Sequence, residues 1–170
     1  MLRVVPMTPA HPEANVAKLQ VGDRAPAFTL LDQHGEKVRL SSYKGRPVVV
    51  HFYPKADTPG CTTQSCALRD AEADLAELDA VVIGISPDPP ARLAAFDEKY
   101  SLGFTLLSDP DHAVAEAWGA WGEKTLYGRK YMGIVRSAFV VDASGRLAGV
   151  FPKISPKDTV PKTAKVLAGL

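Results

Sequence analysis

Residues Pro47-Val48-Val49-Val50-His51-Phe52-Tyr53 form an apolar run with no alternation. A strand with one face in water would alternate, so this run predicts a strand covered on both faces by other layers of structure. Val81-Val82-Ile83-Gly84-Ile85-Ser86 predicts a second one. Between them the chain passes through a Pro/Gly loop into a helical pattern that extends to about Leu78. Around this unit, Ala27–Leu31 and Lys37–Leu40 flank a glycine-containing loop and predict an N-terminal β-hairpin, followed by a short turn or helix at Ser41–Gly45. Asp88-Pro89 and Asp109-Pro110 each place a capping residue before a proline, as at a helix start. The first helix would show Leu93, Phe96 and Tyr100 on one face, and the second would turn Val114, Ala117 and Trp118 inward. Phe104–Leu107 predicts a short strand, and 119–133, rich in glycine, a loop near the functional region. Arg136–Asp142 and Leu147–Phe151 predict a second hairpin, and Val160, Ala164 and Leu167 a last helix. Hairpin, β-α-β-α-β-α, hairpin and helix make an α/β chain with a central mixed β-sheet flanked by helices. Residues 1–20, with Pro6, Pro9 and Pro12, read as an extended arm, and 21–170 as one domain.

Composition narrows the function. With 20 basic against 19 acidic residues the net charge is +1, which argues against nucleic-acid and membrane-surface binding. No stretch approaches the ~20 apolar residues of a membrane span. The start, Met1-Leu2-Arg3-Val4-Val5-Pro6, lacks the apolar core of a secretory signal, so the cytoplasm is the expected location. Two cysteines in such a compartment point to catalysis, redox chemistry or metal binding before a structural staple.

Both cysteines lie in the strand-to-helix junction, at Cys61 and Cys66. Thr58-Pro59 reads as N-cap and first helical residue, which puts Cys61 in the first turn. Backbone N–H groups there have no intrahelical acceptor and favour thiolate over thiol. The helix dipole supplies roughly 0.3–1 kcal/mol, whereas shifting a thiol's ionisation by two units takes about 2.7 kcal/mol. A strongly reactive thiol therefore needs a hydroxyl donor, for which Thr58 is placed, and a cation from elsewhere in the chain. Cys61, Gln64, Leu68, Ala71, Leu75 and Leu78 form one helical stripe. Cys66 lies about 140° around the axis, which sets the two Cα atoms roughly 8.6 Å apart, beyond the ~7 Å reach of a disulfide. The cysteines pair only if the segment unwinds.

Pro54-x-x-x-Thr58-x-x-Cys61 resembles the active-site signature of the peroxiredoxins. The wider run from Phe52 to Thr62, with Cys66 five residues beyond Cys61, is similar to the bacterioferritin-comigratory (PrxQ-type) subfamily. Gly84-Ile85-Ser86, Phe104–Asp109, Trp121-Gly122-Glu123-Lys124 and Arg136-Ser137-Ala138-Phe139 agree with it. The resemblance, which runs from about Val21 to the C-terminus, implies a thioredoxin-like fold and an antioxidant peroxidase acting on hydrogen peroxide and organic hydroperoxides. It casts Cys61 as the peroxidatic thiol and Cys66 as the resolving one, joined in an intrachain disulfide that thioredoxin or a similar dithiol reductant recycles. Thr58, Arg136 and the backbone N–H groups of Gly60 and Cys61 would bind the peroxide, with Pro54 shaping the pocket. Arg46, Arg129 and Arg69 are the other candidates for the cation. No cofactor or metal is implied, and an intrachain resolver suits a monomer.

Each role has a plainer counterpart. Cys61 and Cys66 could be inert helix cysteines, Thr58 a simple cap, Pro54 loop punctuation, and Gln64, which could hydrogen-bond around the site, an ordinary helix position. His51, His11, His34 and His112 are scattered and read as structural or exposed. A thiol–disulfide oxidoreductase would favour Cys-x-x-Cys over the Cys-x-x-x-x-Cys found here. A zinc-binding or redox-sensing module is the reading outside enzymes, although no second ligand pair has finger-like spacing.

Overall fold

In the computed structural model, which describes residues 19–170, the chain runs β1 (Thr29–Asp32), β2 (Lys37–Arg39), a 3-10 turn, β3 (Val48–Phe52), α1 (Pro59–Asp70) and α2 (Glu72–Glu77). It continues through β4 (Val81–Ser86), α3 (Pro90–Tyr100), β5 (Thr105–Ser108), α4 (Ala113–Ala117), β6 (Trp121–Leu126) and β7 (Arg129–Ile134). β8 (Ser137–Val141), β9 (Leu147–Phe151), a second 3-10 turn and α5 (Thr159–Ala168) complete it. The arm expected at residues 1–20 falls almost wholly outside the described residues.

Seven strands form one sheet in the order β2-β1-β5-β4-β3-β8-β9. β3, β4 and β5 are parallel, and β8 and β1 add antiparallel strands on either side of them. Every residue of β3 is buried, as its unbroken apolar run requires. Alternation sends Val48, Val50 and Phe52 into one core with Ile83, Ile85, Trp118 and Phe139. The opposite core holds Val49, Tyr53, Leu68, Phe96, Leu106 and Leu167, and Cys61 belongs to it. α1, α3 and α5 supply residues to this second core, whereas α4 supplies Ala115 to the first, so helices cover both faces. No helix among the described residues is long and apolar enough to cross a membrane.

The structure departs from the sequence reading in local phase. Residues 119–133 are mostly a hairpin, β6–β7, not a loop. Its turn, Tyr127-Gly128, has positive φ at both residues (51° and 76°), the pattern of a two-residue hairpin turn, with tyrosine where Asn or Asp would signal it. The helix expected to reach Leu78 breaks at Ala71 (φ −87°, ψ −3°) and ends at Glu77, leaving Leu78 exposed. Neither proline nor glycine marks that break. Ala115 in α4 and Trp118 at its C-cap are buried while Ala117 is exposed. On α5 the most buried positions are Thr159, Thr163 and Leu167, with Val160 and Ala164 half-buried. Asp88 does not cap α3, which begins at Pro90 with Pro89 in the cap position. Asp109, in contrast, does serve α4, accepting from Val114 N (3.2 Å) and Ala115 N (2.9 Å).

Candidate active site

β3 delivers the chain to the carboxyl edge of the sheet, where ligands of open α/β sheets bind. Tyr53 N still bonds to Ile85 O (3.1 Å), and the chain then leaves the sheet through Pro54–Thr58. The loop is pinned along its length. Ala56 N donates to Asp88 Oδ2 at 2.7 Å. Asp57, at φ 60°, accepts from Lys99 Nζ (2.9 Å) and Tyr100 Oη (2.7 Å). Those two hydrogen bonds, Lys99's first, hold the Asp57 carboxyl below its usual range. Thr58 has the extended backbone of an N-cap, yet its side chain makes no cap hydrogen bond. Its hydroxyl donates back to Lys55 O at 2.8 Å, so the proton expected to serve the sulfur is committed elsewhere.

α1 starts at Pro59, and Thr62 N bonds Thr58 O at 2.8 Å. The N–H groups of Gly60 and Cys61 precede that bond and have no acceptor within the helix. Cys61 is fully buried, and its Sγ accepts from Arg136 Nη2 at 3.3 Å. Arg136 Nη1 donates to Gln64 Oε1 (2.8 Å), and Gln64 Nε2 donates to Thr159 Oγ1 (2.8 Å). Thr159 Oγ1 in turn donates to Ser155 O (3.1 Å). One hydrogen-bonded chain thus ties the sulfur, the cation and the start of α5. Ile154 N bonds Arg136 O (3.0 Å), which fixes the backbone of the arginine just before β8. Gly60 makes room for it, because a Cβ there would meet Arg136 Nη2 at 3.1 Å. The other candidate arginines are engaged elsewhere or exposed. Arg46 pairs with Asp79, Arg69 pairs with Asp70 and donates to Tyr100 O, and Arg129 is exposed at the start of β7.

Cys66 lies half-buried on the same unbroken helix as Cys61, and both thiols are free. The helical separation worked out from their spacing therefore applies to this state. Pro54 is half-buried at the head of the loop. His51 is fully buried on the Cys61 side of the sheet, stacked on Tyr53 with ring centroids 5.5 Å apart. Burial first, and the Arg136 charge second, push it down to about 3, so it is neutral near pH 7 and too weak to act as a base. His112 stacks on Trp121 at 3.7 Å and faces Glu116. Among the described residues no three His, Cys, Asp or Glu side chains group together as a metal site would need.

The AhpC/TSA family model matches residues 21–150. The chain belongs to this family, as a peroxiredoxin of the bacterioferritin-comigratory (PrxQ-type) branch. The putative peroxiredoxin bcp of Haemophilus influenzae is 56% identical over 140 residues, covering 82% of this chain and 90% of its own length. Peroxidoxin BcpB of Mycobacterium tuberculosis superposes with a TM-score of 0.80 at 35% identity, covering 89% of this chain and 98% of that one. The Xanthomonas campestris bacterioferritin comigratory protein, described by its alkyl peroxide reduction activity, superposes with a TM-score of 0.78 at 28% identity, covering 84% and 91%. The fold is that of the thioredoxin-like peroxiredoxins, and the function is thiol-dependent peroxide reduction. In this peroxiredoxin three side chains have structural partners that the sequence does not specify. Gln64 bridges Arg136 to Thr159, as its position on the Cys61 stripe allowed without requiring. Asp88 has the residue type of a helix cap, and its place two residues beyond Ser86 at the end of a buried strand is the signal for something else. Asp57 carried no signal, since Ala-Asp-Thr does not announce a left-handed residue.

Proposed function

We propose that this peroxiredoxin is an atypical two-cysteine enzyme that reduces hydrogen peroxide and organic hydroperoxides through Cys61 and resolves on Cys66. The observation that carries the reading is the Arg136 guanidinium donating to Cys61 Sγ at 3.3 Å, over a helix start with free N–H groups. The Cys61 thiolate attacks one peroxide oxygen. An S–O bond forms as the O–O bond breaks, leaving Cys61 as sulfenic acid, and the departing hydroxide or alkoxide takes a proton from solvent to leave as water or alcohol. Arg136 and the N–H groups of Gly60 and Cys61 receive the charge that develops on the oxygens. Thr58 Oγ1, its own proton held by Lys55 O, accepts the peroxide O–H and so orients the substrate. Pro54 shields the pocket.

The Cys66 thiolate then attacks the sulfenic sulfur, forming the S–S bond as the S–O bond breaks and releasing hydroxide, which takes a proton from solvent to become water. Because both cysteines share α1, this step requires its first two turns to unwind, which takes Gln64 away from Arg136 and Thr159. A thioredoxin-like dithiol returns both thiols by exchange. The alkyl peroxide reduction of the Xanthomonas relative supports organic hydroperoxides as substrates. The intrachain cycle needs no second subunit, in keeping with a monomeric antioxidant enzyme of the cytoplasm formed by residues 21–170.

The test is peroxide consumption coupled to thioredoxin. Cys61→Ser abolishes turnover. Cys66→Ser consumes about one peroxide per chain and then stalls, as the loss of a resolver requires. Undiminished cycling by Cys66→Ser would remove Cys66 from the mechanism, and residual cycling by Cys61→Ser would overturn the nucleophile.

A further inference from the structure

We propose that Asp88 is a positioning residue for peroxide binding: it fixes the Lys55–Ala56 peptide unit and, through it, the direction in which Thr58 presents its oxygen. The inference builds on the acceptor role given to Thr58 above.

The Asp88 side chain is buried at the exit of β4. Oδ2 accepts from Ser86 Oγ at 2.8 Å and from Ala56 N at 2.7 Å, across 32 residues of sequence. Ser108 Oγ donates to the Asp88 carbonyl at 2.6 Å, which holds the backbone that carries the carboxylate. Oδ1 faces Arg92 Nε at 3.6 Å. An aspartate that served only α3 would bond the first amides of that helix. This one is directed instead at the loop bearing Pro54 and Thr58.

The two ends of one peptide plane are held by different side chains. Its N–H, from Ala56, is held by Asp88, and its carbonyl, from Lys55, accepts the Thr58 hydroxyl at 2.8 Å. A peptide unit is rigid, so rotating it to free the N–H also swings the carbonyl. The Thr58 hydroxyl would follow that carbonyl or lose it. While the carbonyl stays in place, Thr58 Oγ1 has its proton engaged and offers only lone pairs, aimed in one direction. Once the carbonyl moves, the hydroxyl is free to rotate and to present its proton to the incoming peroxide. A buried carboxylate is costly unless its hydrogen bonds are satisfied. Here they are satisfied by the loop that the reaction depends on.

The experiment compares two reactions of Cys61 in single turnover: oxidation by hydrogen peroxide, and alkylation by iodoacetamide, which has no O–H for Thr58 to accept. In Asp88→Ala, oxidation slows by roughly tenfold to a hundredfold, the effect expected of a misplaced orienting group, while alkylation stays within about twofold. Asp88→Asn keeps an acceptor oxygen and most of the oxidation rate. In a Thr58→Val background Asp88→Ala adds nothing, because its effect passes through the missing hydroxyl. Full oxidation in Asp88→Ala, equal slowing of alkylation, or multiplicative loss in the double variant would each overturn the proposal. Unimpaired oxidation in Thr58→Val would overturn the Thr58 reading and this proposal with it, whereas impaired Thr58→Val beside unimpaired Asp88→Ala would sink the proposal alone. If Asp88→Ala does not fold, Asp88→Thr, too short to reach Ala56 N, replaces it with the same expectations.

Discussion

His51 gives the fold a specific sensitivity to acid. The imidazole is fully buried and stacks on Tyr53. Burial and then the Arg136 charge depress it to about 3, against 6.5 for the exposed group. Between those values the unfolded chain binds a proton that the folded chain refuses. Stability is therefore complete above the unfolded value and falls as the pH drops from 6.5 towards 3. Well below the unfolded value each pH unit is worth about 1.4 kcal/mol; because the unfolded group is already half-protonated at about pH 6.5, going from there to about pH 4.5 costs roughly 2 kcal/mol, a sizeable part of a typical domain's stability. Asp109, raised by burial, works in the opposite sense. The informative quantity is thus the difference in pH slope between the wild type and His51→Leu, which share every other group. Urea unfolding of the thiol-reduced proteins across this range measures it. Between about pH 6.5 and about pH 4.5 the variant's stability should change by about 2 kcal/mol less than the wild type's, whatever its stability near pH 7. Parallel slopes would mean that His51 is protonated in the folded protein, and would refute the reasoning.

Three further outcomes follow from the site. Arg136→Met should slow Cys61 oxidation by on the order of 10²–10³-fold, the usual loss when a donor to a developing oxyanion is removed, as read by trapping the sulfenic acid. Gly60→Ala places a Cβ 3.1 Å from Arg136 Nη2; it should slow the same step less, and it should add nothing to Arg136→Met in the double variant. Gly84→Ala puts a Cβ 2.8 Å from His51 Cε1 and 3.1 Å from Leu106 Cδ2, and the overpacked strand should lose about 1–3 kcal/mol in urea unfolding.

What the sequence displays and what it conceals follow from the range of the forces involved. The apolar runs of β3 and β4 declare double burial, because a covered strand has no polar face to show. The strand-loop-helix junction and its Thr58-Pro59 signal place Cys61 on a helix start to within a residue. The link between Cys61 and Arg136 spans 75 residues, and no local pattern encodes it; it was accessible only by likeness to a family. Sequence does not resolve side-chain hydrogen bonds where two partners compete for the same group. Thr58 and Asp88 are both good caps by residue type, yet each bonds the Lys55–Ala56 peptide instead. The β6–β7 hairpin leaves no pattern in the sequence because it is exposed over most of its length, so it lacks the alternation that burial imposes on a sheet with one wet face.

The disulfide cycle is tested most directly by the mass of the intact protein. The fully reduced protein is treated with one equivalent of hydrogen peroxide and its mass is measured without reductant, followed by peptide mapping. The account predicts a loss of two hydrogens and peptides joined through Cys61 and Cys66. A gain of oxygen on Cys61 with Cys66 still free, or a mass that does not change, would contradict it.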